Sequence, residues 1–368
     1  MSLGLGVIGC GSVFAGPYRA MIGQLRAAGR VHVSAVYDVD RVKRYGAAAN
    51  YDVERDLRGP EDVIEAADIV LVHARQYEHG PLARAALEAG RHVLVEKPMA
   101  TSLEEAAELL ELAETGPGVL VCAPHTLLSP TFRAVHGAVR AGEVGDLLTA
   151  RARYGWAGPW WNEWFYAPGG GSLFDLGVYN VTSLCALFGP ARRVTAMVGV
   201  AIPERSVNGE VVRVEADDNA QVLLDFGDAR FAAVTTGFTM QRYRSPAIEV
   251  YGSEGTVQLL GDDWAPEGWE LWRNADGAWR VYPESDPHWQ WTEGLRHLVE
   301  CVETGQPTVT RPQHAYHALE VMLAAKEAGR DGVARTIESD FPDPVYDSEW
   351  VDLDAGRRAH DRRSHDGL

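Results

Sequence analysis

The sequence predicts an α/β protein with an N-terminal doubly wound, Rossmann-type domain and a C-terminal α+β domain with a large, mostly antiparallel open sheet. Two observations carry this prediction. Short valine-, isoleucine- and leucine-rich runs alternate with helical patterns about six times before residue 124, without the period-two pattern of half-exposed strands. After Pro124 the pattern changes to long alternating strands separated by turns that contain glycine. We therefore expect domains at 1–123 and 124–340, and an extended or disordered tail at 341–368.

The N-terminal elements follow one another at short intervals. Buried strands are predicted at 3–8, 31–38, 67–74, 91–96 and 118–123. Helices are predicted after the first strand and over 39–50, 80–90 and 102–114. Ser102 can cap the last of these helices, and Glu105 stands at the position that completes a capping box. The alternation predicts a parallel sheet that is covered on both faces.

The C-terminal part combines helices with strands of alternating polarity. Helices are predicted over 131–142, about 172–188, about 289–304 and 312–329. Strands are predicted within 192–202, 220–226, 229–240, 247–252 and 255–260. Because short turns join most of these strands, we expect an antiparallel sheet that carries helices on one face.

Composition and charge argue against several classes of partner. The 368 residues include 52 acidic and 34 basic side chains, for a net charge of −18, and nucleic-acid binding favours the opposite sign. No run of about 18 apolar residues occurs, so we expect neither a membrane span nor membrane binding. The apolar run that ends at Gly9 lacks the features of a signal peptide. The four cysteines lie far apart, which predicts buried, reduced thiols and a cytoplasmic location.

No metal site is expected from the histidine pattern. The chain has 12 histidines, but none falls in a His-Glu-x-x-His or His-x-x-Glu-His arrangement. The closest cluster is His314 with His317, on a helix that we expect to face solvent.

A glycine-rich turn follows the first predicted strand. Gly9 and Gly11 permit a tight turn and let a pyrophosphate approach the helix N-terminus, where Ser12 and Val13 lie. Phe14 occupies the third position of the usual glycine fingerprint, so the match is incomplete. The turn predicts a dinucleotide-binding role for residues 1–123.

Asp38 ends the second predicted strand, where a carboxylate can accept both hydroxyls of a ribose. A carboxylate there repels a 2′-phosphate, so NAD is favoured over NADP. Arg41 and Arg44 lie nearby and keep NADP possible. The alternative is that Asp38 caps the helix that begins near Val39.

Glu96, Lys97 and Pro98 follow a buried strand at the carboxyl edge of the predicted sheet, where ligands bind in open α/β folds. Pro98 stops the strand and keeps the preceding residue extended. The ammonium of Lys97 can hydrogen-bond a reacting oxygen and stabilise the charge that develops on it. The alternative is a surface lysine paired with Glu96.

These motifs, followed by GGGSLFDLGVY at 169–179, occur in the order seen in one known family. From residue 3 to about 337 the chain resembles the glucose–fructose oxidoreductase/inositol dehydrogenase (Gfo/Idh/MocA-type) family, in its tyrosine-containing branch. The resemblance implies NAD(P)-dependent oxidation or reduction of sugars, polyols and related alcohols. It also implies a Rossmann domain followed by a substrate-binding domain whose open sheet forms a homodimer or homotetramer.

The resemblance implies three catalytic residues. The lysine of the Glu-Lys-Pro motif corresponds to Lys97, and the family's Asp-x-x-x-His pair corresponds to Asp175 and Tyr179. Because an unperturbed phenol has a pKa of about 10, we expect the ammonium of Lys97 to lower the pKa of Tyr179 toward the working range. Asp175 and Tyr179 lie four residues apart and so share a helix face. The glycines at 169–171 are expected to leave room for substrate and nicotinamide.

The resemblance also places other residues beside the cofactor or substrate. The family's turn after the strand at 67–74 reads Ala74-Arg75 here, His79 matches the histidine that follows, and Glu96 precedes the catalytic lysine. His125 stands where an asparagine of the family's Asn-x-Arg pattern is expected. His125 can contact substrate or relay a proton, or it can simply hydrogen-bond neighbouring backbone.

All 11 tryptophans follow residue 155, and four of them lie within 156–166. Trp156 and Trp161 offer flat faces for the apolar side of a pyranose ring, and Asn162 can meet its hydroxyls. The alternative is that these side chains pack a domain seam or a subunit interface.

The sequence therefore predicts a cytoplasmic NAD(P)-dependent dehydrogenase that acts on a secondary alcohol or ketone of a sugar or cyclic polyol. Two alternatives stay open. One is a redox-neutral, NAD-dependent enzyme that cleaves glycosides, and the other is a non-catalytic NAD-binding sensor or regulator. The presence of Lys97, Asp175 and Tyr179 together argues against the sensor.

Overall fold

The computed structural model describes residues 2–54, 57–244, 246–283 and 285–346. In the predicted tail, residues 341–346 have no regular secondary structure, and residues 347–368 lie outside the described residues.

The first sheet is parallel throughout and has the order β2-β1-β3-β4-β5. Its strands are β1 (Leu3–Ile8), β2 (Val31–Tyr37), β3 (Ile69–Val72), β4 (His92–Val95) and β5 (Leu120–Cys122). The helices between them are α1 (Arg19–Ala27), α2 (Arg41–Tyr51), α3 (Pro60–Ala66), α4 (Gln76–Glu88) and α5 (Leu103–Thr115). A π-helical turn, Phe14–Tyr18, precedes α1 and contains Pro17, whose missing N–H suits a break in the regular helix pattern.

Local sequence signals account for most of these boundaries. The Ser102 hydroxyl accepts a hydrogen bond from the Glu105 N–H (3.2 Å), which is the predicted cap of α5. The Glu105 carboxylate accepts from the N–H of Thr101 (3.2 Å) rather than of Ser102, so only half of the predicted capping box forms. Helix α3 was not predicted, because its seven residues are too few to show a helical period.

The second sheet has the order β15-β14-β13-β12-β6-β11-β10-β7-β16. Only β6 and β11 pair in parallel among these described strands, so the predicted fold class is confirmed. The strands are β6 (Leu147–Gly155), β7 (Arg193–Gly199), β8 (Glu204–Val207), β9 (Glu210–Arg213), β10 (Asn219–Asp225), β11 (Phe231–Gly237), β12 (Ile248–Gly252), β13 (Gly255–Asp262), β14 (Ala265–Arg273), β15 (Ala278–Pro283) and β16 (Arg335–Thr336). The helices are α6 (Pro130–Arg140), α7 (Val178–Phe188), α8 (Gly294–Thr304) and α9 (Pro312–Asp331), and a π-helical turn (Leu173–Gly177) leads into α7.

Six strands of this part were not predicted: β6, β8, β9, β14, β15 and β16. Strands β8 and β9 form a separate two-stranded hairpin, and β14 and β15 extend the large sheet at one edge. Each hairpin strand has only four residues, and Pro266 and Gly268 interrupt the alternation of β14. Both features obscure the period-two signal on which strand prediction depends.

Helix α8 packs against the first sheet, although its sequence position is in the second part. Its buried residues Leu295, Leu298 and Val299 belong to the same apolar cluster as β1, β2 and α1. Their i, i+3, i+4 spacing gives α8 an apolar stripe, which contacts β4 and β5. The core of the first domain therefore includes residues from far along the chain.

The expectation that His314 and His317 face solvent is wrong. Both imidazoles are buried on α9, which packs against α5, α7 and β7. The Nε2 atom of His317 accepts a hydrogen bond from the Ala191 N–H (3.0 Å), and the ring of Phe341 packs on both histidines. Neutral imidazoles can be buried in this way once a backbone group satisfies a ring nitrogen.

All four cysteines are buried free thiols, which confirms that part of the sequence prediction. In the described part of the chain, no helix has both the length and the apolar composition to cross a membrane.

Candidate active site

The glycine turn after β1 has the geometry that a close backbone approach requires. Gly9 has φ +98°, and a Cβ atom there would lie 2.4 Å from the carbonyl oxygen of His73. A Cβ atom at Gly11 would meet no protein atom within 4 Å among the described residues, so this side of the turn is open. Ser12 and Val13 follow at once as the first helical residues, a position where backbone N–H groups have no partner within the helix.

Asp38 lies at the end of β2 and is tied to this turn. Its Oδ2 accepts a hydrogen bond from the Cys10 N–H (2.7 Å), and its Oδ1 accepts one from the Asp40 N–H (2.8 Å). The side chain that caps α2 is Asp40, which accepts from the Val42 N–H (2.9 Å). The structure therefore does not use Asp38 as the helix cap and leaves it at the edge of the glycine turn.

The loops after β3 and β4 are joined by His79. Its ring nitrogens lie 2.7 Å from the Pro98 carbonyl oxygen and 3.1 Å from that of Ala74. His79 is buried, and its two ring nitrogens hold the two loops together. Arg75 is exposed, and its guanidinium donates to the Tyr77 hydroxyl (3.1 Å).

Side chains from both domains meet at Lys97. Its Nζ donates to the Asp175 carboxylate (2.6 Å) and to the Asp175 carbonyl oxygen (2.8 Å), and it lies 5.4 Å from the ring centroid of Tyr179. The Lys97 and Asp175 side chains are 13% and 14% exposed, so the pair is shielded but still reached by solvent. The ammonium pairs with Asp175 and not with Glu96, which was the alternative from sequence.

Glu96 is buried behind this pair in a network that sequence reasoning missed. The Tyr18 hydroxyl donates to Glu96 (3.1 Å) and lies 3.4 Å from the Nε2 atom of His125. The His125 ring is buried against Gly294, and burial lowers its pKa to about 3, so it is neutral at physiological pH. No sequence signal marks Tyr18, because its partners lie far along the chain.

The expected lowering of the Tyr179 pKa is wrong for this structure. Burial raises that pKa well above its usual value, and the charges of Glu96 and Asp175 raise it further. The physical reason is that Asp175 neutralises the ammonium of Lys97, while carboxylates surround the phenol. Tyr179 therefore holds its proton here.

The tryptophan-rich loop builds an aromatic surface beside the hairpin β8–β9. The rings of Trp156 and Trp161 stack with centroids 5.5 Å apart, and Trp161 is exposed. The Asn208 amide donates to the Trp161 carbonyl oxygen (3.0 Å) and holds the loop to the hairpin. Asn162 accepts from the Trp164 N–H (3.4 Å), so its side chain caps a short 3₁₀ turn (Glu163–Tyr166).

The glycines at 169–171 serve packing more than ligand access, which corrects the sequence expectation. A Cβ atom at Gly170 would lie 2.5 Å from the Trp164 carbonyl oxygen, and one at Gly171 would lie 2.3 Å from Asp217. Of these three glycines, Gly169 alone would have no described protein atom within 4 Å of such an atom. Close approach of protein atoms explains two of the three glycines.

Two family models match this chain. Residues 3–123 match the model described as "Oxidoreductase family, NAD-binding Rossmann fold", and residues 132–258 match that of the "GFO/IDH/MocA C-terminal domain". A trans-1,2-dihydrobenzene-1,2-diol dehydrogenase of Macaca fuscata fuscata is 28% identical over 318 residues, covering 83% of this chain and 90% of the relative. A 1,5-anhydro-D-fructose reductase of Ensifer adhaerens is 27% identical over 335 residues, covering 87% of this chain and 95% of the reductase. The structure of levoglucosan dehydrogenase with NADH and levoglucosan superposes with a TM-score of 0.80 at 18% identity, over 92% of this chain and 100% of the dehydrogenase.

Proposed function

The chain belongs to the GFO/IDH/MocA family of NAD-binding oxidoreductases, and from that premise we propose that it moves hydride between NAD(P) and a secondary alcohol or ketone of a sugar or cyclic polyol. The observation that carries this proposal is the convergence of Lys97, Asp175 and Tyr179 from two domains. The names of the relatives support a ring that bears hydroxyl groups as the substrate class.

The residues around the glycine turn fit a dinucleotide. Gly9 cannot carry a side chain, Gly11 leaves open space, and Asp38 stands at the end of β2. We propose that the N–H groups of Ser12 and Val13 meet the pyrophosphate and that the carboxylate of Asp38 accepts the ribose hydroxyls. The negative charge of Asp38 opposes a 2′-phosphate, so the proposal favours NAD over NADP.

NAD held at the glycine turn and Asp38 would supply the acceptor for the hydride of the carbon that bears the hydroxyl group. Lys97 donates a hydrogen bond to the oxygen on which charge develops, and Asp175 holds the ammonium in place. Tyr179 exchanges the hydroxyl proton. Because the phenol holds its proton in this structure, it is ready to act as an acid in ketone reduction, and oxidation is favoured as pH rises.

The aromatic surface supports a ring-shaped substrate. We propose that the faces of Trp156 and Trp161 receive the apolar side of the ring, while the polar group of Asn162 lies at the rim. His125 is buried beside Tyr18. In this proposal it therefore packs behind the site and does not relay a proton to the substrate.

We also propose that copies of the chain associate through the open face of the second sheet, in a cytoplasmic protein. The strand register places Met197, Leu223 and Phe231 on the same face, and all three are exposed. An exposed apolar patch on a sheet is typical of a protein–protein interface. The buried free thiols support a reducing compartment.

The test is a screen of sugars, cyclic polyols and trans-dihydrodiols with NAD and with NADP, followed by the absorbance of the reduced nicotinamide. We expect turnover with at least one vicinal diol or sugar and a preference for NAD. Release of a glycosidic substituent with tightly held cofactor and no net reduction would favour the redox-neutral alternative. Tight NAD binding without any turnover would favour the sensor.

A further inference from the structure

A buried carboxylate that the sequence did not single out lies behind Tyr179. Asp263 occupies the two-residue turn between β13 and β14, and its side chain is 0% exposed. The turn lies against α7, because Asn180 on that helix reaches the carboxylate. Asn180 directly follows Tyr179 in the chain, so the turn and the proposed proton-exchanging residue are held by the same helical segment.

The carboxylate has few groups to stabilise its charge. Its Oδ2 accepts a hydrogen bond from the Nδ2 atom of Asn180 at 2.9 Å. Neither its Oδ1 nor the Oδ1 of Asn180 has a hydrogen-bond partner among the described residues. The donors that reach it are all neutral: the Asn180 amide, the Ser183 hydroxyl and the Asp263 N–H. Burying an ionised carboxylate with neutral donors alone costs desolvation free energy, and an apolar side chain of similar volume would fill the turn without that cost. A purely structural role therefore does not explain why a carboxyl group stands here.

Asn180 and Ser183, both on α7, hydrogen-bond Asp263, and the other groups that face it can all release a proton. They are Tyr179 on α7, Tyr154 on β6, Tyr243 in the loop before β12, and Asp262 beside it in the turn. The rings of Tyr154 and Tyr179 meet edge to face with centroids 5.7 Å apart, so the phenols form one cluster. Burial raises the pKa of Asp263 to about 7, and the hydrogen bond from Asn180 opposes that rise. The charge of Asp263 in turn raises the pKa of Tyr179.

We propose that Asp263 is a positioning residue that sets how readily Tyr179 gives up and regains its proton. This inference rests on the proposed function, because it treats Tyr179 as the residue that exchanges the substrate proton. When Asp263 is protonated, it adds no negative charge beside the phenol. When it is ionised, it opposes the phenolate, so the two groups favour holding one negative charge between them. Asp263 thereby links the proton balance of the cleft to a site that substrate does not touch.

The linkage can be measured without turnover. The phenolate absorbance of Tyr179 is obtained by subtracting the spectrum of the same protein with Tyr179→Phe, over a titration to alkaline pH. In Asp263→Asn, which keeps an acceptor for Asn180 and removes the charge, we expect this signal at lower pH than in the wild type. Asp262→Asn is the matched control, because its charge acts on Tyr154, Tyr243 and Asp263 but is not among the charges that raise the pKa of Tyr179. At alkaline pH Asp263 is ionised in this variant as in the wild type, so the Tyr179 signal should coincide with that of the wild type. Identical curves for all three proteins, or no Tyr179 signal before unfolding, would overturn the proposal.

The same proteins then give pH profiles of kcat/KM for alcohol oxidation. We expect the rising limb of Asp263→Asn to move to lower pH, while Asp262→Asn retains the wild-type profile. A uniform loss of activity with an unmoved limb would show a merely structural role and overturn the inference. A spectral shift without turnover on any alcohol would instead reject the proposed function and leave the linkage standing. If Asp263→Asn does not fold, Asp263→Ser is smaller, still offers an acceptor to Asn180, and allows the same comparison.

Discussion

Lys97 has two acidic neighbours, and its ammonium pairs with only one of them. Asp175 takes its charge directly at 2.6 Å, whereas Glu96 lies buried beside it and is satisfied by Tyr18. The ammonium therefore points toward Asp175 and the ring of Tyr179 and not back along its own strand. Its proximity to the ring of Tyr179 means that removing it changes both the oxyanion stabilisation and the charge balance at the phenol.

Replacing Lys97 by alanine is expected to abolish measurable turnover while NAD binding changes only a few-fold. The reason is that the ammonium acts on the reacting oxygen, whereas the dinucleotide is held at the glycine turn. Steady-state kinetics and NAD titration by fluorescence measure the two effects. The matched control is Lys326→Ala, which breaks another ammonium–carboxylate pair. Its partner Asp217 (3.0 Å) lies at the start of the helical segment that carries Asp175 and Tyr179. The Lys326→Ala protein should lose thermal stability and retain turnover. A wild-type kcat in Lys97→Ala would contradict a catalytic role for Lys97.

Asp38 and its neighbour Asp40 provide a paired test of cofactor preference. Asp38→Asn keeps an acceptor for the Cys10 N–H and removes the charge, so the ratio of kcat/KM for NADP over NAD should rise. Asp40→Asn removes the same charge from the cap of α2, where asparagine caps nearly as well, and should leave the ratio unchanged. Kinetics with both cofactors measure this ratio. An equal ratio in all three proteins would place the ribose elsewhere.

At the scale of single residues, sequence predicts the groups that a motif carries and misses those that folding assembles. Lys97 and Asp175 were singled out because a strand end and a known motif mark them. Tyr18 and Asp263 have partners 78 and 83 positions away, and nothing in their local sequence indicates those contacts. The pKa of Tyr179 was mispredicted for the same reason, since it depends on acids that arrive from separate elements.

At the scale of elements, the segment before α7 combines a glycine run with a side chain that caps the helix. The Asp217 carboxylate accepts hydrogen bonds from the Leu173 N–H (2.8 Å) and the Ser172 hydroxyl (3.1 Å). This satisfies free donors at the start of the helix that carries Tyr179. Gly171 permits the close approach of Asp217 because it has no side chain. The glycine run and the helix cap are thus one structural unit.

Gly171→Ala is expected to destabilise the protein more than Gly169→Ala. Both residues have positive φ, +107° and +91°, so each substitution costs about 1–3 kcal/mol in backbone strain. At Gly171 the new Cβ atom also displaces Asp217, which caps the helix and pairs with Lys326. Denaturant unfolding measures the free energies, and turnover should fall with stability only for Gly171→Ala. Equal losses in the two proteins would mean that the contact with Asp217 is unimportant.

The elements themselves were predictable where a period was long enough to read. The parallel strands, α5 with its serine cap, and α9 follow from apolar runs and helical spacing. Helix α3 and the hairpin β8–β9 were missed, because four to seven residues carry too little pattern. The packing of α8 on the first sheet lies beyond any local signal, since an apolar stripe does not specify which sheet it packs against.

At the scale of the whole molecule, the two sheets differ in how they are covered. The first is enclosed by helices, including α8 from the second part. The second has one face against helices and one face open. On the open face the apolar side chains of Met197, Leu223 and Phe231 lie on adjacent strands, and the Met197 side chain is 80% exposed. Solvent contact with such a surface is unfavourable, and a second copy of the chain would remove it.

Leu223 lies on β10 between Met197 and Phe231, so a charge there should break the proposed interface between copies. We expect the wild type to sediment as a dimer or tetramer and Leu223→Asp to sediment as a monomer at the same concentration. Burying an unpaired carboxylate in an interface costs several kcal/mol, which is comparable to the free energy of a moderate interface. The control is Val42→Asp on α2, which packs on the first sheet and not on the second. Val42 is an apolar residue that is 82% exposed, so the same charge there should leave the sedimenting mass unchanged. A wild type that sediments as a monomer, or a Leu223→Asp protein that keeps its mass, would show that the open face serves some other purpose.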